Sequence, residues 1–276
     1  MKAERDGSVG KEKKSGRRLR ITVVYDNRLS PSAGATLSHG WGFSSLVEVE
    51  GEGSVLFDTG KEAASLLNNL KRLDKALTRI QAVVISHDHI DHTGGVAGLL
   101  KARAAAGAKE PVKVYLPQGV SSSLLGRIKA GGGEGVVVKP GAGALTSVTP
   151  WVQVTGPLGG RIAEQAAVVS TAQGPVVLTG CAHPRIEEMA SQIKKRLGGG
   201  PLHGLVGGLH LKDDGVGRWR QVVKALATAG VEFVAAGHCT GEGAQRYLRG
   251  ALGARFVSIG SGKVFRFEAA PGREAP

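Results

Sequence analysis

Apolar residues along this chain fall into short β-branched runs broken by glycine and proline, interleaved with six stretches of helical spacing. Residues 19–25 alternate, with Leu19, Ile21 and Val23 against Arg20 and Thr22, and predict a first strand. Residues 28–40 are rich in Ser, Gly and Pro and predict a loop. Segments 43–49 and 54–57 predict a hairpin turning at Glu50-Gly51-Glu52-Gly53. Ala64, Leu66, Leu67 and Leu70 share one helical face within 61–73. The same reading gives strands at 82–85 and 112–116, helices over 94–106 and 120–128, and short β segments at 136–138, 145–148 and 152–154. A hairpin follows from 165–170 and 175–178, then a helix over 184–197 with Pro184 in its first turn. Strands at 202–206 and 231–236 alternate with helices over 218–229 and 244–252, and strands at 255–259 and 263–267 close the chain.

This order is β-rich, α, β-rich, α, without a linker long enough to divide it. Two halves that bury one sheet face against each other would make a single domain over 19–270. A basic arm over 1–18, expected to be disordered, precedes it, and a tail over 271–276 follows. Pattern alone states no more than mixed α/β.

Composition narrows the class. Hydrophobic residues make up 41% of 276, enough for a buried core, so a wholly disordered chain is excluded. Aromatics are scarce at 4%, whereas glycine occurs 43 times, which predicts tight turns rather than a stacking surface. Two cysteines, Cys181 and Cys239, are too few for a disulfide framework and fit a reducing compartment. No run is long and apolar enough for a bilayer, and the N-terminus lacks the apolar core of a signal peptide. A cytoplasmic protein without a membrane partner is expected. Of the formal charge of +13, residues 1–20 carry +5, from eight Lys or Arg against three Asp or Glu, which leaves +8 elsewhere. That remainder suits a small anionic substrate such as a phosphate ester and does not require nucleic acid.

Chemistry concentrates at His87-Asp88-His89-Ile90-Asp91-His92, directly after the run Val83-Val84-Ile85 and just before Gly94-Gly95. In extended or turn geometry side chains two apart point the same way, so His87 and His89 can share one ion. Asp91 and His92 reach past it toward a second. Imidazole and carboxylate are ligands for zinc, and iron or manganese also accept them.

His-x-His-x-Asp-His after a strand resembles the signature of the metallo-β-lactamase superfamily. The resemblance implies an αββα sandwich, two mixed sheets with helices outside, holding two divalent ions: zinc first, with iron, manganese or magnesium as alternatives. Later strand ends add to it. Gly180-Cys181-Ala182-His183 follows an apolar strand, at a place where superfamily members carry a bridging aspartate or, in some, a cysteine ligand. Cys181 therefore becomes a candidate metal ligand, against the plain alternative of a buried structural cysteine. His238, after a strand and a glycine, resembles the last metal-binding motif and is assigned to the second ion. His210, after Gly207-Gly208-Leu209, is expected to contact substrate or donate a proton to a leaving group, with His39 a further candidate to face the substrate. Asp58 either orients a ligand histidine or caps the following helix.

One position departs from the family. The histidine usual in a Gly-His-Thr-like segment is missing from 159–166, which reads Gly-Gly-Arg-Ile-Ala-Glu-Gln-Ala. His183 is the expected substitute as third ligand of the first ion, with Glu164 (otherwise a solvated carboxylate or one that supports ligands from behind) or a weak or empty site as the alternatives.

Gly-Cys-x-His-Pro, Gly-Gly-x-His-Leu and His-Cys-Thr-Gly, with Asp26-Asn27 and the His39-Gly-x-Gly-Phe-Ser segment, are similar to the dihydropteroate-synthase-like subfamily. That subfamily is linked to a 7,8-dihydropterin-6-methyl-4-(β-D-ribofuranosyl)aminobenzene 5'-phosphate synthase. The resemblance implies a metal-dependent hydrolase, or a diphosphate-displacing transferase, acting on a small phosphorylated pterin-like molecule. Two ions about 3.5–4 Å apart would activate water, with Asp91 accepting or positioning its proton. The alternative is a nuclease of the same fold acting on RNA or DNA. A redox role is disfavoured because no flavin-binding domain follows, and β-lactam hydrolysis because no export signal precedes and the usual third histidine is absent. A homo-oligomer is compatible with these expectations.

Overall fold

Fourteen strands pair into two seven-stranded sheets in a computed structural model that describes residues 16–34, 36–139 and 143–272. The first sheet takes β1 (Arg18–Tyr25), β2 (Ser44–Val49), β3 (Ser54–Phe57), β4 (Ile80–Val84), β5 (Lys113–Pro117) and β6 (Glu134–Val138). The second takes β7 (Thr146–Thr149), β8 (Val152–Val154), β9 (Ala167–Thr171), β10 (Gly174–Thr179), β11 (Gly204–Gly208), β12 (Phe233–Gly237) and β13 (Phe256–Ser258). The last strand, β14 (Val264–Glu268), returns to the first sheet and pairs antiparallel with β1.

That return is where the sheets differ from a simple division into two halves. β14 covers the edge that β1 would otherwise expose. Its Phe265 and Phe267 stand opposite Ile21 and Leu19 in register and pack against the core between the sheets.

Helices lie on both outer faces. Leu66 and Leu70 of α1 (Ala63–Arg72), Val96 and Leu99 of α3 (Val96–Ala105), and Leu124 and Ile128 of α4 (Ser122–Ala130) share a core with the outer face of the first sheet. Met189 and Ile193 of α5 (Ile186–Arg196), Val222 and Leu226 of α6 (Val216–Thr228), and Leu248 of α7 (Glu242–Leu252) do the same on the second. A third core, with Val23, Phe57, Val84, Val169, Leu178 and Val206, fills the space between the sheets. The αββα sandwich is therefore present, with a one-turn helix α2 (Ile90–Thr93) inside the histidine loop.

Two boundaries shift for reasons that the contacts show. β1 begins at Arg18, the last residue of the predicted arm, because Arg18 bonds Glu50 and pairs across the sheet with Glu268. The arm over 1–15 and the tail over 273–276 lie outside the described residues. Pro184 precedes α5 instead of opening it, since the backbone at 181–185 turns to meet Glu164. No helix among the described residues is long and apolar enough to cross a membrane.

The topology gathers one set of strand ends. β3 and β4 run parallel, with Phe57 opposite Val84. β10, β11 and β12 run parallel, with Thr179 opposite Gly207 and Gly208 opposite Gly237. Asp58, His87, Cys181, His210 and His238 all follow the C-terminal ends of these strands, the edge where open α/β sheets place their ligands. Beneath that edge Gln165 joins the sheets, its Nε2 donating to Ile85 O at 2.8 Å and its N–H to Ser86 O at 2.8 Å.

Candidate metal centre

Asp58, which follows β3, is wholly buried and sits in the left-handed region at φ 56°. Its Oδ1 accepts the Ser86 N–H at 2.7 Å, and its Oδ2 accepts the Ser86 hydroxyl and His92 Nδ1, each at 2.7 Å. The Ser86 hydroxyl, having given its proton to Asp58, accepts from His87 Nδ1 at 2.9 Å. One carboxylate thereby fixes two imidazoles, His92 directly and His87 through Ser86, each with Nε2 turned away from it. Asp58 is thus the orienting residue, and α1 starts elsewhere, at Ala63 with Glu62 before it.

His238 is set the same way by a residue whose role the sequence does not reveal. Its Nδ1 donates to Asn27 Oδ1 at 3.0 Å, and Asn27 Nδ2 donates to His238 O at 3.2 Å. Gly42 N also donates to that Oδ1, which fixes the amide's orientation.

Among the described residues five triads of ligand atoms lie within 4.8 Å of one another, and two of them contain no cysteine. The first is His87, His89 and His183, with His87 Nε2 3.1 Å from His89 Nδ1. The structure thus brings His183 beside the pair His87 and His89. Its Nε2 is buried without a hydrogen-bond partner, and burial with the neighbouring imidazoles of His210 and His89 pushes its pKa down to about 3, so a lone pair stays available. Burial and the other histidines likewise hold His87 well below the ordinary imidazole range.

The second group is Asp91, His92 and His238. His92 Nε2 lies 3.2 Å from His238 Nε2, and Asp91 Oδ2 lies 3.3 Å from the latter and 3.7 Å from the former. Two facing imidazole lone pairs beside a carboxylate require a positive charge between them, a proton or a metal ion. Burial alone would lower His92, but the Asp58 carboxylate and then Asp91 push it up to about 9. Asp91 is held low: burial opposes its ionisation, and the hydrogen bond from His238 and the charge of His92 outweigh that.

Cys181 Sγ stands 3.2 Å from His92 Nε2 and groups with both sides, with His87 and His92 and with His183 and His210. Without a cation its thiol is pushed up, first by its hydrogen bond with Cys239 and then by burial. A metal in contact with that sulfur reverses this logic. The donor set therefore fits divalent ions such as zinc.

Glu164 is not a ligand and is not solvated. It is 0% exposed, and its two oxygens accept the N–H groups of Cys181, Ala182 and His183 at 2.9, 2.8 and 2.8 Å. Burial pushes its pKa up, and those three bonds oppose the rise. His210 is exposed, with its ring 4.4 Å from His183 and its N–H donating to Cys239 Sγ at 3.3 Å. His39 is exposed and meets Asn27 O through Nδ1 at 3.2 Å; it belongs to neither ligand group. Backbone strain concentrates at the same edge: of six non-glycine residues at positive φ among the described residues, four are Asp58, Ala182, His210 and His238.

Comparison with known proteins agrees with this geometry. Residues 40–238 match the family model described as metallo-beta-lactamase superfamily. The 7,8-dihydropterin-6-methyl-4-(beta-D-ribofuranosyl)-aminobenzene-5'-phosphate synthase of Methanocaldococcus jannaschii is 43% identical over 63 residues, 22% of this chain and 21% of the relative. A Ribonuclease Z of Methanosarcina mazei is 31% identical over 74 residues, 27% of this chain and 23% of the relative. The chain thus matches less than a quarter of the length of either curated relative. Among solved structures, Tm1679, a metal-dependent hydrolase of the beta-lactamase superfamily, superposes with a TM-score of 0.70 at 25% identity, over 90% of this chain and 98% of that one.

Proposed function

This chain belongs to the metallo-beta-lactamase superfamily, and on that premise we propose that it is a metal-dependent hydrolase, or a diphosphate-displacing transferase, acting on a small phosphorylated pterin-like molecule. The observation that carries the metal reading is the 3.2 Å approach of His92 Nε2 to His238 Nε2, with the outer nitrogens of both rings already committed to Asp58 and Asn27. His87, His89 and His183 would hold one ion and Asp91, His92 and His238 the other, with Cys181 between them. Sulfur and imidazole donors favour zinc or iron over magnesium, which asks for oxygen. Bound divalent ions polarise a carbonyl or phosphoryl oxygen and make water a nucleophile near neutral pH.

The chain's own residues supply the rest. Asp91 is the sole carboxylate in the two ligand groups and can take a proton from the attacking water. His210 stands at the exposed rim beside His183, where a leaving group would depart, and can give that group a proton. The pterin-like substrate is supported by the local identity to the synthase and by the excess positive charge.

A nuclease is the second reading, favoured by the match to Ribonuclease Z and the charge of +13. Against it, the residue before His210 is Leu209 and that after it Leu211, so His210 lacks the acidic neighbour of the tRNA-processing branch. Elemental analysis paired with turnover of phosphorylated pterins, before and after chelator, tests the first reading. Two divalent ions per chain and chelator-sensitive turnover are expected. Less than one ion per chain with chelator-insensitive activity would sink it. Retention of RNA that weakens steeply with salt would favour the nuclease.

A further inference from the structure

A cleft borders His238 and is lined by Asp26, Asn27, Arg28, Trp41, Lys212 and Gln245 among others. Its space is about 280 Å³, enough for a single ring with a small substituent. Trp41 forms one wall, with its ring centroid 4.9 Å from that of His238 and 44% of its surface exposed. Leaving so much of an indole in water is unfavourable unless something else covers it. Across the cleft, Lys212 Nζ stands 5.0 Å over the Trp41 ring, and among the described residues no carboxylate pairs with it.

Lys212 is held at the root. Its N–H donates to Cys239 O at 3.2 Å, which ties it to the turn that carries His238. Gly241 is at φ 75°, and a Cβ there would come within 2.6 Å of Lys212 Cα, so the two loops are packed backbone to backbone. Arg28, the second cation, is already paired with Glu242 across the cleft mouth. Asp26, 1% exposed, also lines the cleft; its Oδ1 accepts the Arg28 N–H and its Oδ2 is buried without a hydrogen-bond partner. Of the two cations lining the cleft, the one left unpaired among the described residues is therefore Lys212.

We infer that this cleft is the recognition subsite for the uncleaved part of the substrate, an aromatic ring bearing an anionic ester, with Trp41 as the ring platform and Lys212 as the anion anchor. This deepens the metallohydrolase reading and rests on it, because the cleft borders His238. An anion entering would draw the ammonium off the indole face and free that face for the ring. A flat aryl phosphate combines both contacts, whereas inorganic phosphate offers only the second and phenol only the first.

The test is calorimetric titration of the metal-loaded full chain with phenyl phosphate, inorganic phosphate and phenol, with metal content measured on every sample. Lys212→Gln is expected to weaken phenyl phosphate about tenfold, the worth of a charge-assisted contact. Trp41→Leu is expected to weaken phenyl phosphate but leave inorganic phosphate unchanged, and both variants should keep the metal content of the parent. Unchanged phenyl phosphate affinity in both variants, at full metal content, overturns the subsite and leaves the metal reading standing. A parent protein that takes up no metal overturns the reading beneath it instead.

Discussion

Asp58 Oδ2 lies 2.7 Å from His92 Nδ1 and accepts the Ser86 hydroxyl at the same distance, so one wholly buried oxygen sets the tautomers of His92 and, through Ser86, of His87. These two imidazoles fall in different ligand groups. Both halves of the centre therefore depend on a residue that belongs to neither.

Asp58→Asn tests this dependence. Asparagine tolerates the left-handed backbone that Asp58 adopts at φ 56°, so the turn itself should survive. Its amide would set an N–H₂ against a donor wherever it is turned, because Asp58 accepts three hydrogen bonds and donates none. Metal affinity should fall about 10- to 100-fold, the usual cost of losing such an orienting partner. Competition with a chromophoric chelator measures it, and parental affinity in the variant would refute the role.

Glu164 makes a parallel case on the opposite sheet. A carboxylate with two oxygens on three successive N–H groups fixes where Cys181 and His183 point. Glu164→Gln leaves one acceptor and turns an amide N–H toward backbone donors. Loss of stability of about 1–3 kcal/mol is expected in metal-free protein, from buried groups left unsatisfied. Denaturant titration in chelator isolates this from any effect of metal binding.

How much of this was legible depended on whether a residue's role lies in its own type and spacing. The strands, helices and αββα layering follow from apolar periodicity and family resemblance, and His87, His89, Asp91 and His92 announce themselves within six residues. His183 could be named as a candidate because it is an imidazole two residues from Cys181 on a strand end. Ser86 and Asn27 could not. Their function arises from hydrogen bonds to Asp58 and His238, residues 28 and 211 positions away, and a lone serine or asparagine after a strand carries no chemical signature. Glu164 was visible as a carboxylate, but only burial and three backbone donors distinguish a clamp from a solvated side chain. The return of β14 to the first sheet was hidden for the same reason: alternation predicts a strand, and pairing is decided by which edge remains uncovered.

Away from the centre, Arg218 grips Glu187 with Nη1 to Oε1 at 2.6 Å and Nη2 to Oε2 at 2.8 Å, joining α6 to α5. Partial burial raises the Glu187 pKa, but the hydrogen bonds and charge of Arg218 outweigh it and the net shift is downward. A carboxylate whose folded pKa is depressed adds stability above its unfolded value of about 4.3 and loses it as pH falls through the folded value. Glu187→Gln should therefore be less stable than the parent at pH 6, with the difference shrinking below about pH 4. Thermal melts at the two pH values decide it, and a gap independent of pH would show that the pair acts through packing alone.

Gly180 offers the sharpest steric test, because it separates the thiol-bearing turn from the Asp58 relay. A Cβ at Gly180 would stand 2.1 Å from Ser86 Oγ and 3.1 Å from His87 Nδ1. Neither atom can retreat cheaply, since Ser86 Oγ is held by Asp58 and His87 Nδ1 by that same hydroxyl. In Gly180→Ala the methyl must displace the hydroxyl, break the link from Asp58 to His87 and free that imidazole to rotate. The expected cost is about 1–3 kcal/mol from overpacking, together with weaker metal binding at the group of His87, His89 and His183. The group of Asp91, His92 and His238 should be less affected, because Asp58 reaches His92 without Ser86. Metal titration should then resolve a weakened site and a retained one, whereas equal loss at both would mean that the two groups are not independently supported.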